Sequence, residues 1–208
     1  MKKVINCLKE DNPVIQKKLR RVTVEEGEKI ATELFEILNK RKDGIGLAAN
    51  QVGIDASVAV VNVIKPIILI NPEIVSRETE IPYYEGCLSY PGKGVNTKRY
   101  ETIEVKSEQI EGSWIFSGVD IGKSGKGTWQ KSEVKEDRAL RTLQAVCVQH
   151  EIDHLNGVVC MDRKVNTTVQ VEKKIGRNQL VTIKKDNAVK VLKYKKAQTL
   201  LNQGWVIE

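Results

Sequence analysis

The 208-residue sequence predicts an α+β fold, and three observations carry the prediction. A stretch near the N-terminus and another around residue 150 repeat their apolar side chains at helical spacing, while the segments between them are rich in Val and Ile. The length suits one compact domain with an appendage and is ample for a sizeable core.

The first helix should begin at Thr23, because Thr23-Val24-Glu25-Glu26 has the spacing of a capping box. Ile30, Leu34, Ile37 and Leu38 then recur on one face, and Lys40-Arg41-Lys42 followed by Asp43-Gly44 suits a helix C-terminus. The glycine-rich run from Gly44 to Gly53 reads as a loop entering an edge strand. Val58 to Ile70, interrupted by Lys65-Pro66, reads as two strands and a turn. Further strands are expected near Glu73 to Ser76 and Thr102 to Lys106. Residues 108–134 hold five of the fifteen glycines and are expected to form a long exposed hairpin or loop. Leu140, Leu143, Val146, Cys147, His150 and His154 fall at helical spacing, which predicts a helix of about twenty residues from near Lys135. That helix should turn its apolar face to the core and its histidines to a cleft. Beyond it, residues 181–192 read as a hairpin and Lys195 to Asn202 as a short helix.

Four cysteines, at 7, 87, 147 and 160, are scattered without a C-x-x-C pair, so no disulfide framework is indicated and a reducing cytosol fits. The N-terminus meets Lys9 and Glu10 before any long apolar run, unlike a signal peptide, and no stretch approaches the about 18 apolar residues of a spanning helix. No membrane and no DNA partner are expected. The net charge of +7 is concentrated at one end: from Arg163 to Glu208 there are eleven basic and three acidic side chains, a net of +8.

Both histidines of the chain lie in His150-Glu151-Ile152-Asp153-His154. Positions i and i+4 share a helix face, so the two imidazoles can converge on one metal ion, with Glu151 directed at water beside it. The plainer reading is a helix with two surface histidines. A catalytic metal needs a third protein ligand, and Glu85-Gly86-Cys87-Leu88-Ser89 offers Cys87, which could equally be a small buried hydrophobe.

Gly44-Ile45-Gly46-Leu47-Ala48-Ala49-Asn50-Gln51, Glu85-Gly86-Cys87-Leu88-Ser89 and His150-Glu151-Ile152-Asp153-His154-Leu155-Asn156-Gly157 occur in this order. Together they resemble the signature motifs of the peptide deformylases. The resemblance spans about residues 1–163, including Asn12-Pro13, Arg99 and Met161-Asp162-Arg163, and leaves out the tail. It implies antiparallel β-sheets packed around a central helix that carries the HExxH motif. It also implies a catalytic domain at 1–163, with 108–134 as an insertion, and a basic extension at 164–208.

The activity so implied is that of a cytoplasmic metal-dependent hydrolase that removes the N-formyl group from the N-terminal formylmethionine of nascent polypeptides. Cys87, His150 and His154 would hold one divalent metal, Fe²⁺ in the cell with Ni²⁺, Co²⁺ or Zn²⁺ as substitutes. Metal-bound water would be the nucleophile and Glu151 the general acid/base. Gln51 and the backbone N–H of Leu88 would hold the developing oxyanion. Ile45, Gly46, Glu85, Val146, Cys147 and Arg99 are expected on the substrate-binding side. Ile45, Val146 and Cys147 would line the methionine pocket, and Gly46 would admit the peptide backbone as an added strand. Arg99 either braces the metal loop through Glu85 or forms a surface ion pair.

The long stretch between Arg99 and His150 and the basic tail depart from the family pattern, and the tail is a candidate contact for ribosomal RNA. Two competing functions use the same residues. A zincin-type endoprotease would draw its third ligand from a downstream His, Glu or Asp, but no further His exists. A metal-stabilised binding module would need neither Glu151 nor Gln51.

Overall fold

Thr23 caps the first helix, α1 (Val24–Asn39), its Oγ1 accepting from the Glu26 amide at 3.2 Å. Only half of the capping box forms, because the Glu26 carboxylate pairs with Arg20 instead of reaching back. Gly27, Ala31, Leu34, Ile37 and Leu38 make the buried face. The structure is a computed structural model, and it describes residues 2–41, 43–119, 138–165, 180–185, 188–193, 196–197, 200 and 205–207. The chain divides into two compact units, Met1–Thr167 and Thr168–Glu208.

In the first unit, β1 (Gly46–Ala48), β2 (Val58–Asn62) and β3 (Pro66–Ile70) form one antiparallel sheet in that order, with β1 at an edge. Val58 to Val61 are buried on both faces, which is why this stretch is uniformly apolar rather than alternating. A 3₁₀ turn over Ala49–Val52, absent from the expected loop-to-strand reading, follows β1 directly.

The second antiparallel sheet consists of β4 (Glu73–Gly86), β5 (Gly94–Lys106) and β6 (Trp114–Ser117). Both long strands exceed the short ones expected, since β4 is mostly solvated and shows little apolar signal. On β5, Thr97, Arg99, Glu101, Ile103 and Val105 alternate inward, so one strand face carries both core and polar-network residues. Strand β6 lies inside the stretch expected to be exposed. It pairs with β5 and buries Phe116, which joins the main core. Residues 120–134 of that stretch lie outside the described residues.

Helix α2 (Arg138–Leu155) crosses between these elements. Its expected start near Lys135 lies outside the described residues. From Ala145 to Leu155 every residue is buried, so the C-terminal half is enclosed on all sides instead of presenting one apolar face. Leu140, by contrast, is exposed. The helix stops at Gly157, whose φ of +74° suits a left-handed cap; its N–H donates to the His154 carbonyl and that of Val158 to the Asp153 carbonyl. A 3₁₀ turn over Cys160–Arg163 follows, and Lys164 bridges to Thr97 of β5. Among the described residues no helix is long and apolar enough to cross a membrane.

In the second unit, β7 (Leu180–Lys185) lies between β8 (Ala188–Lys193) and β9 (Val206–Ile207), all antiparallel. Val181, Ile183 and Ala197 form its small core, and the Lys190 ammonium sits 4.7 Å from the centroid of Trp205. Of the short helix expected over 195–202, Lys196, Ala197 and Leu200 are helical and the remainder lies outside the described residues.

Candidate active site

One helical turn brings His150 and His154 together, their ring centroids 4.9 Å apart, and the end of β4 delivers the third group. Inward alternation along β4 carries Glu85 into the interior while Tyr84 faces solvent, and Cys87 follows immediately beyond the strand. The ligand atoms of Cys87, His150 and His154 all lie within 4.8 Å of one another, with Cys87 Sγ 3.2 Å from His154 Nε2. Ligands about 2.0–2.3 Å from a tetrahedral ion stand roughly 3.5 Å apart, so two imidazoles and a thiol at this spacing fit a divalent transition metal.

Two nitrogens and two carboxylates set the electrostatics. Burial disfavours the His150 imidazolium, but its Nδ1 hydrogen bond to Glu85 Oε2, at 3.0 Å, and the nearby Glu151 charge outweigh this and raise its pKa. His154 is 0 % exposed, and burial together with the His150 charge pushes its pKa well below the ordinary value, favouring a neutral ligand. Burial likewise opposes ionisation of Glu85, yet His150 and Arg99 prevail and hold its pKa down to about 2. Hydrogen bonding with the Cys160 thiol, then burial, raises the Cys87 thiol.

Glu151 has the opposite character. It is 3 % exposed, its Oε2 has no hydrogen-bond partner, and burial raises its pKa to about 7. Its carboxylate rests against Gly46: a Cβ there would collide with Glu151 and come within 2.7 Å of Cys147 Sγ. Gly46 therefore makes room for an acid from the protein itself.

Gln51 is buried with a defined orientation. Its Oε1 accepts from the Ala48 amide at 2.9 Å, which leaves Nε2 directed at Ser89 Oγ, 3.3 Å away, and Cys87 Sγ, 3.5 Å away. The Leu88 N–H donates to no acceptor among the described residues.

A cleft of about 420 Å³ opens over these groups. Ile45, Gly46, Gln51, Glu85, Cys87 and Leu88 line it from one side, and Val146, Cys147, His150 and Glu151 from α2. His154 and Arg99 do not line it. Arg99, 2 % exposed, is neither a surface ion pair nor a cleft residue: it donates to Glu85 from Nε and Nη2 at 2.8 and 2.6 Å, and to Asp153 from Nη1. Glu85 in turn spends both oxygens on Arg99 and His150, so the pair orients the histidine.

Several contributors escaped sequence reasoning. Asp153, a free position of the HExxH pattern, accepts from both Arg99 and Arg163. Asn50 ties the first motif to the third, donating to the carbonyls of His154, at 2.7 Å, and Ile15, at 3.2 Å. Gln149 clamps α2 to β5 by bonding both the N–H and the C=O of Tyr100. Ser89 and Cys160 join the surroundings of Cys87. Each lies beside a motif residue, which was the only available signal.

An α+β frame holding a Cys/His/His cluster beside a buried glutamate defines a hydrolase with a possible metal centre. The sequence profile described as polypeptide deformylase matches residues 4–170. The peptide deformylase of Dictyoglomus thermophilum is 36% identical over 166 residues, covering 78% of this chain and 94% of that protein. The crystal structure of the Thermotoga maritima peptide deformylase has 31% identity and a TM-score of 0.58, covering 79% of this chain and 98% of that one. The Synechococcus elongatus peptide deformylase, in complex with actinonin, has 30% identity and a TM-score of 0.61 over 79% of each chain. The chain belongs to the peptide deformylase family, metalloenzymes that remove the N-formyl group from nascent polypeptides.

Proposed function

We propose that this cleft removes the formyl group from N-terminal formylmethionine, with a divalent metal held by Cys87, His150 and His154. The observation that carries this is the convergence of those three donors beside a buried Glu151 whose Oε2 has no partner. When bound, the ion supplies Lewis acidity and lowers the pKa of water. The family resemblance makes Fe²⁺ the proposed ion in the cell, replaceable by Ni²⁺, Co²⁺ or Zn²⁺.

Glu151 takes a proton from the water that attacks the formyl carbon and returns it to the amine as the C–N bond breaks, yielding formate and a free N-terminus. Burial raises the pKa of Glu151 in the metal-free protein, which equips this carboxyl to hold as well as to release a proton. The oxygen that gains charge in the attack is met by the Gln51 Nε2 amide and the Leu88 N–H, two donors set in place beforehand. Strand β1 lies at the edge of its sheet, so the peptide backbone can pair along Gly46 as an added strand. Ile45, Val146 and Cys147 offer the methionine side chain an apolar wall. Glu85 in the cleft wall and Arg99 behind it hold His150 in orientation.

Formate release from formyl-Met-Ala-Ser by protein purified with nickel or protected iron, compared with Glu151→Ala, tests the reading. Activity should fall by about 10²–10⁴-fold in the variant. Metal-loaded wild type that releases no formate overturns it. For the basic second unit we propose contact with ribosomal RNA near the emerging substrate, supported by its net charge of +6, nine basic against three acidic side chains from Thr168 to Glu208. Removing residues after Thr167 keeps the Lys164–Thr97 bridge intact, and ribosome co-sedimentation should then be lost; unchanged co-sedimentation removes the idea.

A further inference from the structure

The cleft lining continues past Cys87 to side chains assigned neither to the formyl group nor to the methionine. Two consecutive turns lead there. The Tyr90 N–H donates to the Cys87 carbonyl at 2.9 Å and the Lys93 N–H to the Tyr90 carbonyl at 3.0 Å, with Pro91 and Gly92, at a φ of +73°, in the two central positions of the second turn. Gly94 then opens β5, and a Cβ there would collide with the Tyr84 ring, so that ring lies across the backbone next to Lys93 while remaining 67 % exposed. Tyr84 and Lys93 both line the cleft. Charge separates Lys93 from the rest of the lining. Arg41, the other lysine or arginine there, donates from Nε and Nη2 to the two carboxylate oxygens of Asp43 at 3.0 and 2.9 Å. Lys93 is exposed, and its ammonium has no ion pair or hydrogen bond among the described residues.

We propose that Lys93 is a specificity-determining residue, favouring formylated peptides that carry an acidic side chain at one of the two positions after methionine. This rests on the reading of the cleft as a deformylase site. Each turn keeps its ends within about 7 Å, so the Cα of Lys93 stands no more than about 14 Å from that of Cys87. A peptide added to the edge of β1 advances about 3.4 Å per residue, which places the third Cα about 7 Å beyond that of the methionine. The flexible four-carbon stem of Lys93 can bring its ammonium to a carboxylate on that path. Successive side chains of an added strand point to opposite faces, so one of the two positions, and not both, should meet the cation. Tyr84 supplies a flat apolar surface for the methylenes of a glutamate, while the Arg41–Asp43 pair leaves the charges on its own part of the lining already matched.

The test uses the full-length protein purified with nickel and reads formate release from two matched pairs of peptides, formyl-Met-Glu-Ser against formyl-Met-Gln-Ser and formyl-Met-Ala-Glu against formyl-Met-Ala-Gln. All carry C-terminal amides, so that no terminal carboxylate competes for the ammonium. Glu and Gln share a shape, and their ratio of kcat/KM is taken within one protein, so a general loss of activity or of folded fraction cancels. Wild type should favour Glu at one position. Lys93→Gln should lower that ratio by about 2–5-fold, the range of an exposed ion pair, and Lys93→Glu should reverse the preference. Added salt at about 0.5 M should shrink the wild-type ratio toward that of Lys93→Gln. A ratio that is the same in all three proteins at both positions overturns the proposal, as does a wild type that favours Gln at both. Wild type that hydrolyses none of the four peptides removes the deformylase reading instead, and the proposal falls with that premise.

Discussion

Glu151→Gln should stabilise the metal-free protein at alkaline pH even as it destroys activity. Glu151 is almost fully buried, its Oε2 is unpartnered, and burial raises its pKa from 4.5 to about 7. Below pH 4.5 the carboxyl is protonated in both the folded and unfolded chains, and the group has no effect on the difference between them. Between 4.5 and 7 the native state retains a proton that the unfolded state has released, so stability falls as pH rises through this window. Above 7 the penalty is complete. A displacement from 4.5 to about 7, at about 1.36 kcal/mol per unit, amounts to a penalty on the order of 3 kcal/mol. Gln has the same shape and never ionises, so it escapes this cost. Any hydrogen bond its buried amide forgoes costs about 1 kcal/mol, and that loss is the same at every pH. The informative quantity is therefore the change in relative stability between pH 5 and pH 8, measured by urea unfolding of both proteins in chelator. The variant should gain on wild type by on the order of 2–3 kcal/mol across that interval. A relative stability constant to within about 0.5 kcal/mol would refute the reasoning, because an ionised Glu151 would then be solvated in the native state.

Three further perturbations separate the site's components. Gly46→Ala drives a methyl group into the Glu151 carboxylate and Cys147 Sγ; formate release should drop by at least about 100-fold, and urea unfolding should show a loss of about 1–3 kcal/mol. Glu85→Gln leaves a single acceptor oxygen where Arg99 and His150 each use one, so the orientation of His150 is weakened, and metal affinity measured by competition with a chromophoric chelator should fall by about 10–100-fold. Because the Glu85 pKa is lowered from 4.5 to about 2, its contribution to wild-type stability is present above 4.5 and lost as pH falls toward 2, an acid loss that Glu85→Gln should lessen. Arg99→Met leaves Glu85 and Asp153 without their shared buried cation, which should cost about 3–5 kcal/mol by chemical denaturation.

Those residues differ in how far the sequence could announce them, and the difference has a physical origin. His150, Glu151 and His154 occupy one helix, where a spacing of four residues alone dictates a shared face, and Thr23 caps α1 through the backbone three residues on. Strand β4 was largely illegible because its solvated side chains remove the apolar alternation that marks a strand. The full burial of α2 was hidden for a related reason: periodicity reveals one apolar face, whereas Gln149, His150, Asp153 and His154 are polar residues buried against partners on other elements, and Glu151 is buried with its Oε2 unpartnered. Arg99 illustrates the limit. Its position on β5 is compatible with solvent or interior, and only the arrival of Glu85 from β4 and Asp153 from α2 makes a buried cation tolerable. The pairing of Asn50 with the His154 carbonyl is likewise set where independent elements meet. Spacing within one element therefore reports which side chains lie together, while the electrostatic environment that raises the Glu151 pKa and lowers that of His154 comes from the closure of the elements on one another.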